Sequence, residues 1–407
     1  MATELKVLDL SYCTLRTTPD LSAFKGLEIL ILAHCGDLEE IHPTIKDIKT
    51  LVSLKVNYCW KLKELPREVG RMEELRELII QETSIREIPI SRGFLTKLET
   101  LNASWCTLLT RLPKSLGSLM SLTQLNLSHT NIEELPESIG SLKKLETLDA
   151  SFCVLLLHMP NSIGDLESLS CLNLTYCHKL AQLPDSIGSL VSLQRLLLSR
   201  CHSLKQIPDL IGKLTSLTEL LLESTDIEEL LESIGSLKEL KILDASYCKS
   251  LARIPNSIGN STSLSHLDLK ECHKLARLPD SMGSLMSLQQ LLLSRCHLLK
   301  QIPDSIGKLT SLTKLLLEST AIEELPTSIG NMQNIRMLDI SGTPIKELLD
   351  NPGILAELQE FKASGWKNLE WSPSNNGQLV SPNNLGLDKL KKLSELRSRV
   401  LALGITC

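Results

Sequence analysis

Apolar residues along this chain fall into a short alternation, L-x-x-L-x-L, that returns mostly every 23 or 24 residues. Its first position is Leu or Ile at 5, 27, 51, 75, 98, 122, 145, 169, 193, 217, 240, 264, 288, 312, 335 and 358, sixteen anchors in all. The L-x-L step has the period of a strand, so Leu125 and Leu127 face inward while Asn126 faces solvent. The half-repeat that follows, as in residues 183–190 (LPDSIGSL), sets Pro where a helical turn begins and Gly where the chain bends back. It predicts one or two turns of helix or 3₁₀-helix behind each strand.

Carried on to the ninth position, the pattern is L-x-x-L-x-L-x-x-C/T, as in 122–130 (LTQLNLSHT) and 264–272 (LSHLDLKEC). That spacing specifies leucine-rich repeats. The predicted fold class is α/β: a leucine-rich repeat solenoid, or horseshoe, with a parallel concave sheet and short helical or 3₁₀ convex segments. At about 4.8 Å per strand, sixteen rungs would make an arc of roughly 75 Å. Units bearing Cys usually run to 24 residues, and Thr130, Thr225 and Thr320 open 23-residue units, so the difference lies in the turn after the strand. Residues 178–235 and 273–330 are identical at 48 of 58 positions, which points to duplication of four repeats as a block.

The expected organisation is a solenoid of about 16 repeats over 1–371, then a loop and C-terminal cap over 372–407, where KKLSELRSRVLALG has helical periodicity. The first anchor is Leu5, which leaves no room for a polar N-terminal cap. Terminal repeats need such shielding, so a preceding domain or excision from a longer protein is expected.

Composition then narrows the class. Of 407 residues, 42% are hydrophobic but only 3% aromatic, so the core must be aliphatic. A formal charge of −5 gives no field for a polyanion, and no direct nucleic-acid partner is expected. No stretch of 18 apolar residues occurs and the N-terminus lacks a secretion signal; the expectation is a cytoplasmic or nuclear protein that makes no membrane contact.

Ten of the twelve cysteines hold the C/T position: Cys13, Cys35, Cys59, Cys106, Cys153, Cys177, Cys201, Cys248, Cys272 and Cys296. A small side chain able to hydrogen-bond nearby backbone explains the exchange with Thr. One thiol per rung does not build a tetrahedral zinc site or a stapled disulfide framework. The Asn-x-Ser/Thr matches at 102, 126, 173 and 260 are read as chance. Gly212-Lys213-Leu214-Thr215 and its copy at 307–310 lack a P-loop. The pairs Glu133-Glu134, Glu228-Glu229 and Glu323-Glu324 recur at one repeat position, which suits solvated edges better than a differentiated catalytic pair. No catalytic residue, cofactor or metal is assigned, and the chain is not read as an enzyme.

Binding information in such a fold belongs to the outward columns of the strands. Just before the Cys/Thr stand Tyr12, His34, Tyr58, Trp105, His129, Phe152, Tyr176, Arg200, Tyr247 and Arg295, which gathers many of the scarce aromatics in one column. These rings either cover the strand edge or act as protein-binding anchors. The middle outward position is Asn or Asp in several rungs but Leu at 197, 221, 292 and 316, four side chains expected to be exposed. The candidate protein-binding residues are Tyr58, Trp105, His129, Phe152, Tyr176, Arg195, Leu197, Arg200, Leu221, Tyr247, Leu292, Arg295 and Leu316.

The motif C-x-x-L-x-x-L-P-x-S-I-G-x-L at 177–190, with its T-x-I variant at 130–142, resembles the repeats of plant intracellular nucleotide-binding disease-resistance proteins of the Toll/interleukin-1-receptor-domain class. The resemblance covers about residues 1–371. Extracellular plant receptors carry Asn at the C/T position and G-x-I-P after it, a pattern this chain lacks. What the resemblance implies is recognition and restraint: a pathogen effector or guarded host protein on the concave side, and contacts to a nucleotide-binding switch domain in a full-length receptor. The alternative is a freestanding intracellular leucine-rich repeat signalling scaffold.

Overall fold

The computed structural model describes residues 4–345 and 358–365, so the predicted loop and cap over 372–407 lie outside the described residues. Two compact units are present, Met1–Leu204 and Lys205–Cys407. In the first, β1 (Val7–Asp9), β2 (Ile29–Ile31), β3 (Ser53–Lys55), β4 (Glu77–Ile79), β5 (Thr100–Asn102), β6 (Gln124–Asn126), β7 (Thr147–Asp149), β8 (Cys171–Asn173) and β9 (Arg195–Leu197) pair in parallel, each with the next in sequence. In the second, β10 (Glu219–Leu221), β11 (Ile242–Asp244), β12 (His266–Asp268), β13 (Gln290–Leu292), β14 (Lys314–Leu316), β15 (Met337–Asp339) and β16 (Glu360–Lys362) do the same. Every strand is centred on the second apolar position of its repeat, as the alternation requires.

The predicted facing holds in most rungs, although the outward Asp268, Leu292 and Asp339 are buried. Leu125 and Leu127 are fully buried while Asn126 is half-exposed. Behind the strands lie 3₁₀-helices of mostly five residues, such as Glu137–Ser141, Asp185–Ser189 and Asp280–Ser284, and no described segment is α-helical. Proline explains their start: Pro136, Pro184 and Pro279 hold the N-cap at φ −71°, −71° and −75° with extended ψ, the value the ring already imposes. The helices end where a Leu amide closes a tight bond three residues back, as Leu190 does on Ile187. Ile139, Ile187 and Ile234 then point from the 3₁₀ side into the core.

Among the described residues the buried apolar core is Leu, Ile, Val, Met, Ala and Cys, with no aromatic ring in it. Short strands backed by short turns leave a thin interior one aliphatic side chain deep on each side. Burial of each Leu contributes about 1.5–3 kcal/mol, and the regular period supplies many of them.

The Gly of S-I-G has a different role from the one its position suggested. It was expected to permit the return bend, yet positive φ among the described glycines is confined to Gly93, Gly342 and Gly365. At Gly235 an added Cβ would sit 2.2 Å from the carbonyl oxygen of Ser257 in the next repeat, and at Gly307 2.2 Å from that of Ser328. These glycines let neighbouring 3₁₀-helices stack backbone on backbone.

The cysteine column ties rungs together. The thiol of Cys177 donates to the Ala150 carbonyl at 3.2 Å, that of Cys272 to Ala245 at 3.2 Å, and that of Cys106 to Ile80 at 3.0 Å. Thr at the same position donates instead to its own turn, as Thr130 does to Leu127 at 2.7 Å, and its hydroxyl meets the next rung's Cys153 at 3.3 Å. Burial pushes the thiols up, Cys59 and Cys201 to about 12 and Cys153 and Cys248 to about 11. Thiolate is the nucleophile, so iodoacetamide at pH 8 followed by peptide mapping should label the half-exposed Cys13 and Cys171 well before the buried column. Equal labelling of Cys177 in the native chain would contradict this burial.

Candidate protein-binding face

The residue before each Cys or Thr turns out to be a left-handed turn residue. Tyr12, His34, Tyr58, Trp105, His129, Phe152, Tyr176 and Arg200 have φ between 57° and 63°, and Tyr247 and Arg295 have 59° and 62°. Side chains seldom adopt this region, and β-branched ones least of all. The column accordingly contains no Val, Ile or Thr and becomes Gly at 342 and 365. Its backbone amides continue the ladder past the strand: Trp105 donates to Ser128 O at 2.8 Å, His129 to Ser151 O at 2.9 Å, Phe152 to Thr175 O at 2.7 Å and Tyr176 to Ser199 O at 2.8 Å. Identical backbone one strand apart gives identical side-chain direction, so the rings must stack.

Trp105, His129, Phe152 and Tyr176 form one continuous stack, with centroids 3.7, 4.1 and 4.2 Å apart and planes within 13° of parallel. The Arg200 guanidinium carbon lies 5.0 Å above the Tyr176 ring and ends it as a cation–π contact. A separate stack holds Tyr12, His34 and Tyr58, at 4.7 and 4.3 Å. Burial within the stack lowers the His129 pKa, against a smaller upward pull from Asp149, so this ring favours its neutral form. Trp105 keeps 46% of its surface exposed, and the other three rings are half-buried. The rings thus cover one another's faces and leave their edges toward solvent.

The Asn/Asp column beside the rings was a set of outward polar groups in the sequence and is a set of turn caps in the fold. The Asn102, Asn126 and Asp149 side-chain oxygens each accept the amide of the residue two positions on, Ser104, Ser128 and Ser151, at 2.9 Å. Asp244 and Asp339 do the same for Ser246 and Ser341. These Asx turns lead into the left-handed residue. Three of the four Asn-x-Ser/Thr matches, at 102, 126 and 173, are thereby accounted for by turn geometry.

In the first unit, then, the fold brings Trp105, His129, Phe152, Tyr176 and Arg200 together, with Leu197 and Arg195 on the Arg200 rung, and places Tyr58 in the other stack. The second unit holds Leu221, Tyr247, Leu292, Arg295 and Leu316, and its ladder column carries charge instead of stacked rings: Arg295 donates to Glu271 at 2.9 Å, and His273 meets the same carboxylate at 2.9 Å. Tyr247 stands on a rung of its own, 45% exposed. One expectation is corrected. Leu292 is 6% exposed, not a solvent-facing residue, and Leu197, Leu221 and Leu316 are half-buried. Parallel register sets Leu292 between Asp268 and Leu316 one strand away on either side; at about 4.8 Å spacing such neighbours close over a side chain. The pairs Glu133-Glu134 and Glu323-Glu324 are exposed, as solvated edges should be.

The family model described as "Leucine-rich repeat region" matches residues 4–127 and 114–221, and a second, "Leucine Rich Repeat", matches 287–309. A putative disease resistance protein of Arabidopsis thaliana is 33% identical over 97 residues, which is 24% of this chain and 8% of that protein. The chain thus spans a small part of the length of this curated relative. Among solved structures, a leucine-rich repeat protein of Leptospira interrogans superposes with a TM-score of 0.73 at 28% identity, covering 91% of this chain and 92% of that one. An internalin of Listeria monocytogenes gives 0.56 at 18% identity over 83% and 87%, a likeness of fold alone.

Proposed function

Since the chain belongs to the leucine-rich repeat family, we propose that it is the protein-recognition region of an intracellular plant immune receptor and binds a pathogen effector or a guarded host protein. The observation that carries the recognition half is the stack Trp105–His129–Phe152–Tyr176 closed by Arg200. Interlocked rings and an Arg offer large contact area that loses little conformational freedom on binding, the property of interface anchors. The immune half is supported by the C-x-x-L-x-x-L-P-x-S-I-G-x-L motif and by the likeness of 97 residues to a putative disease resistance protein. On this reading the partner touches the ring edges, Arg195 and Leu197, while the same repeats restrain a nucleotide-binding switch domain until the partner shifts that balance. The chain supplies no chemistry of its own and works inside the cell.

The test is capture from plant extracts, infected and uninfected, followed by mass spectrometry. A triple variant Tyr176→Asn, Leu197→Asn, Arg200→Asn removes the anchors, and Asn tolerates the left-handed turn. Proteins held by the wild type should be lost by the triple variant and kept by Lys144→Glu on the 3₁₀ side, with unfolding midpoints checking that all three fold. Capture that is unchanged in the triple variant would count against this face.

A further inference from the structure

The rim of the first unit departs from the repeat at one place. Residues 131–165, which follow β6 and carry β7, recur at 226–260 in the second unit with 23 of 35 positions identical. Four of the differences fall together in the turn after the Cys: Lys249, Ser250, Ala252 and Arg253 of the second unit are Val154, Leu155, Leu157 and His158 in the first. In the second unit this turn is polar and bonded to the rung before it, Ser250 donating to Asp226 at 3.2 Å and Arg253 to Glu229 at 2.7 Å. In the first unit Val154 is 36% and Leu157 42% exposed, and Leu155 is half-buried.

Leu108, two rungs earlier at the position of Leu155, is 42% exposed. The rung between them is that of Thr130, whose turn is one residue shorter. Its Ile132 is therefore fully buried, and the Asn131 amide is tied down onto Thr107 O at 2.8 Å. The two leucines stand about 9.6 Å apart across this saddle. Glu133 and Glu134 are exposed on the middle rung, and among the described residues neither makes an ion pair, although Arg111 flanks them. A groove of about 810 Å³ opens beside them, its wall including Glu134, Glu137, Arg111 and His158. Exposed aliphatic groups at positions that are polar elsewhere in the repeat, set around carboxylates without a cation, mark a contact surface.

We infer that Leu108, Val154, Leu155 and Leu157 form a docking strip for an amphipathic α-helix of a partner protein that carries Lys or Arg beside its aliphatic face. The helix follows from the spacing. Its residues i and i+7 lie about 10.5 Å apart, in step with Leu108 and Leu155, and the turn between them fits the saddle. Same-face residues of a strand, about 6.8 Å apart, fall out of step. The cation follows from charge: Glu134 occupies the place of Glu229, whose arginine partner is His158 in the first unit. A second copy of the chain is the poorer occupant, because the two-fold arrangement that seats Leu108 of one copy on Leu155 of the other brings Glu133 and Glu134 onto their own equivalents. The strip lies on the rim outside the ring column, so it stands apart from the reading of the rings.

The probe is the peptide fluorescein-LKKLLKLLKKLLKL-amide, followed by fluorescence anisotropy as the full chain is added. Saturable binding is expected, with the acidic counterpart fluorescein-LEELLELLEELLEL-amide at least about tenfold weaker. Leu155→Ser with Leu157→Ala installs the second unit's residues without changing the charge. That double variant should keep the wild-type unfolding midpoint and weaken the basic peptide at least about tenfold. Glu134→Gln should weaken it about threefold, as loss of one exposed ion pair does. No saturable binding, wild-type affinity in the double variant, or equal binding of the two peptides would overturn the strip. The triple variant at Tyr176, Leu197 and Arg200 keeps all four strip residues and should hold the basic peptide normally, so loss of plant-protein capture there bears on the rings alone. Peptide binding lost in the triple variant and kept in the double variant would dismiss the strip and leave the rings standing.

Discussion

Replacing Gly235 by alanine should destabilise the second unit by about 3 kcal/mol, at the upper end of what overpacking costs. The new methyl would lie 2.2 Å from the Ser257 carbonyl oxygen and 2.6 Å from its Cβ. The first of these is backbone locked into the next 3₁₀-helix, Asn256–Asn260, so it cannot rotate away. Gly36→Ala makes the comparison: its methyl meets only the Trp60 ring, at 2.8 Å, and an exposed ring can move. Chemical unfolding followed by circular dichroism should show a large shift of midpoint for Gly235→Ala and a small one for Gly36→Ala. Midpoints that agree within error would mean the 3₁₀ stack is looser than the contact distances require.

A second large effect is expected at Phe152. Phe152→Val removes two stacking contacts, at 4.1 Å to His129 and 4.2 Å to Tyr176, and places a β-branched side chain at φ 57°. Each stack contributes about 0.5–1.5 kcal/mol and left-handed strain about 1–2 kcal/mol, so the loss should total about 2–5 kcal/mol. Phe152→Asn loses the stacking yet accepts the turn, and should cost about 1–2 kcal/mol less than Val. If Val and Asn prove equally destabilising in urea titrations, backbone conformation is not what selects the residues of this column.

Both expectations come from features that the sequence displayed without explaining. The S-I-G column was visible, and its glycine was assigned to a bend because glycine is the usual answer where φ is positive. Only the packed repeats reveal that the bend needs no positive φ and that the next backbone arrives within touching distance of the Cα. The ring column was visible too, and a signal for its conformation lay in the sequence: sixteen rungs supply Tyr, His, Trp, Phe, Arg, Glu, Ser and Gly but no β-branched residue. The Asn and Asp column read only as outward polar positions, and its Asx bonds to Ser amides could have been suspected from the recurring Asn/Asp-x-Ser spacing. Leu292 was placed on the correct side of its strand, but alternation alone does not tell how closely Asp268 and Leu316 shield it.

What the sequence by itself determined is therefore the repeat: its period, the inward Leu pairs, the position of each strand, the proline that starts most of the 3₁₀ turns and the thiol or hydroxyl that ends the strand. Such features are local, because side-chain alternation and proline geometry act within a few residues and leave their mark as spacing. What only the tertiary structure decided lies between repeats. The thiol reaches a carbonyl 26 or 27 residues earlier, glycine makes room for a backbone 21 or 22 residues later, and rings one strand apart become a stack. Contacts across that separation depend on strand spacing and side-chain direction, which are set when the rungs close against one another.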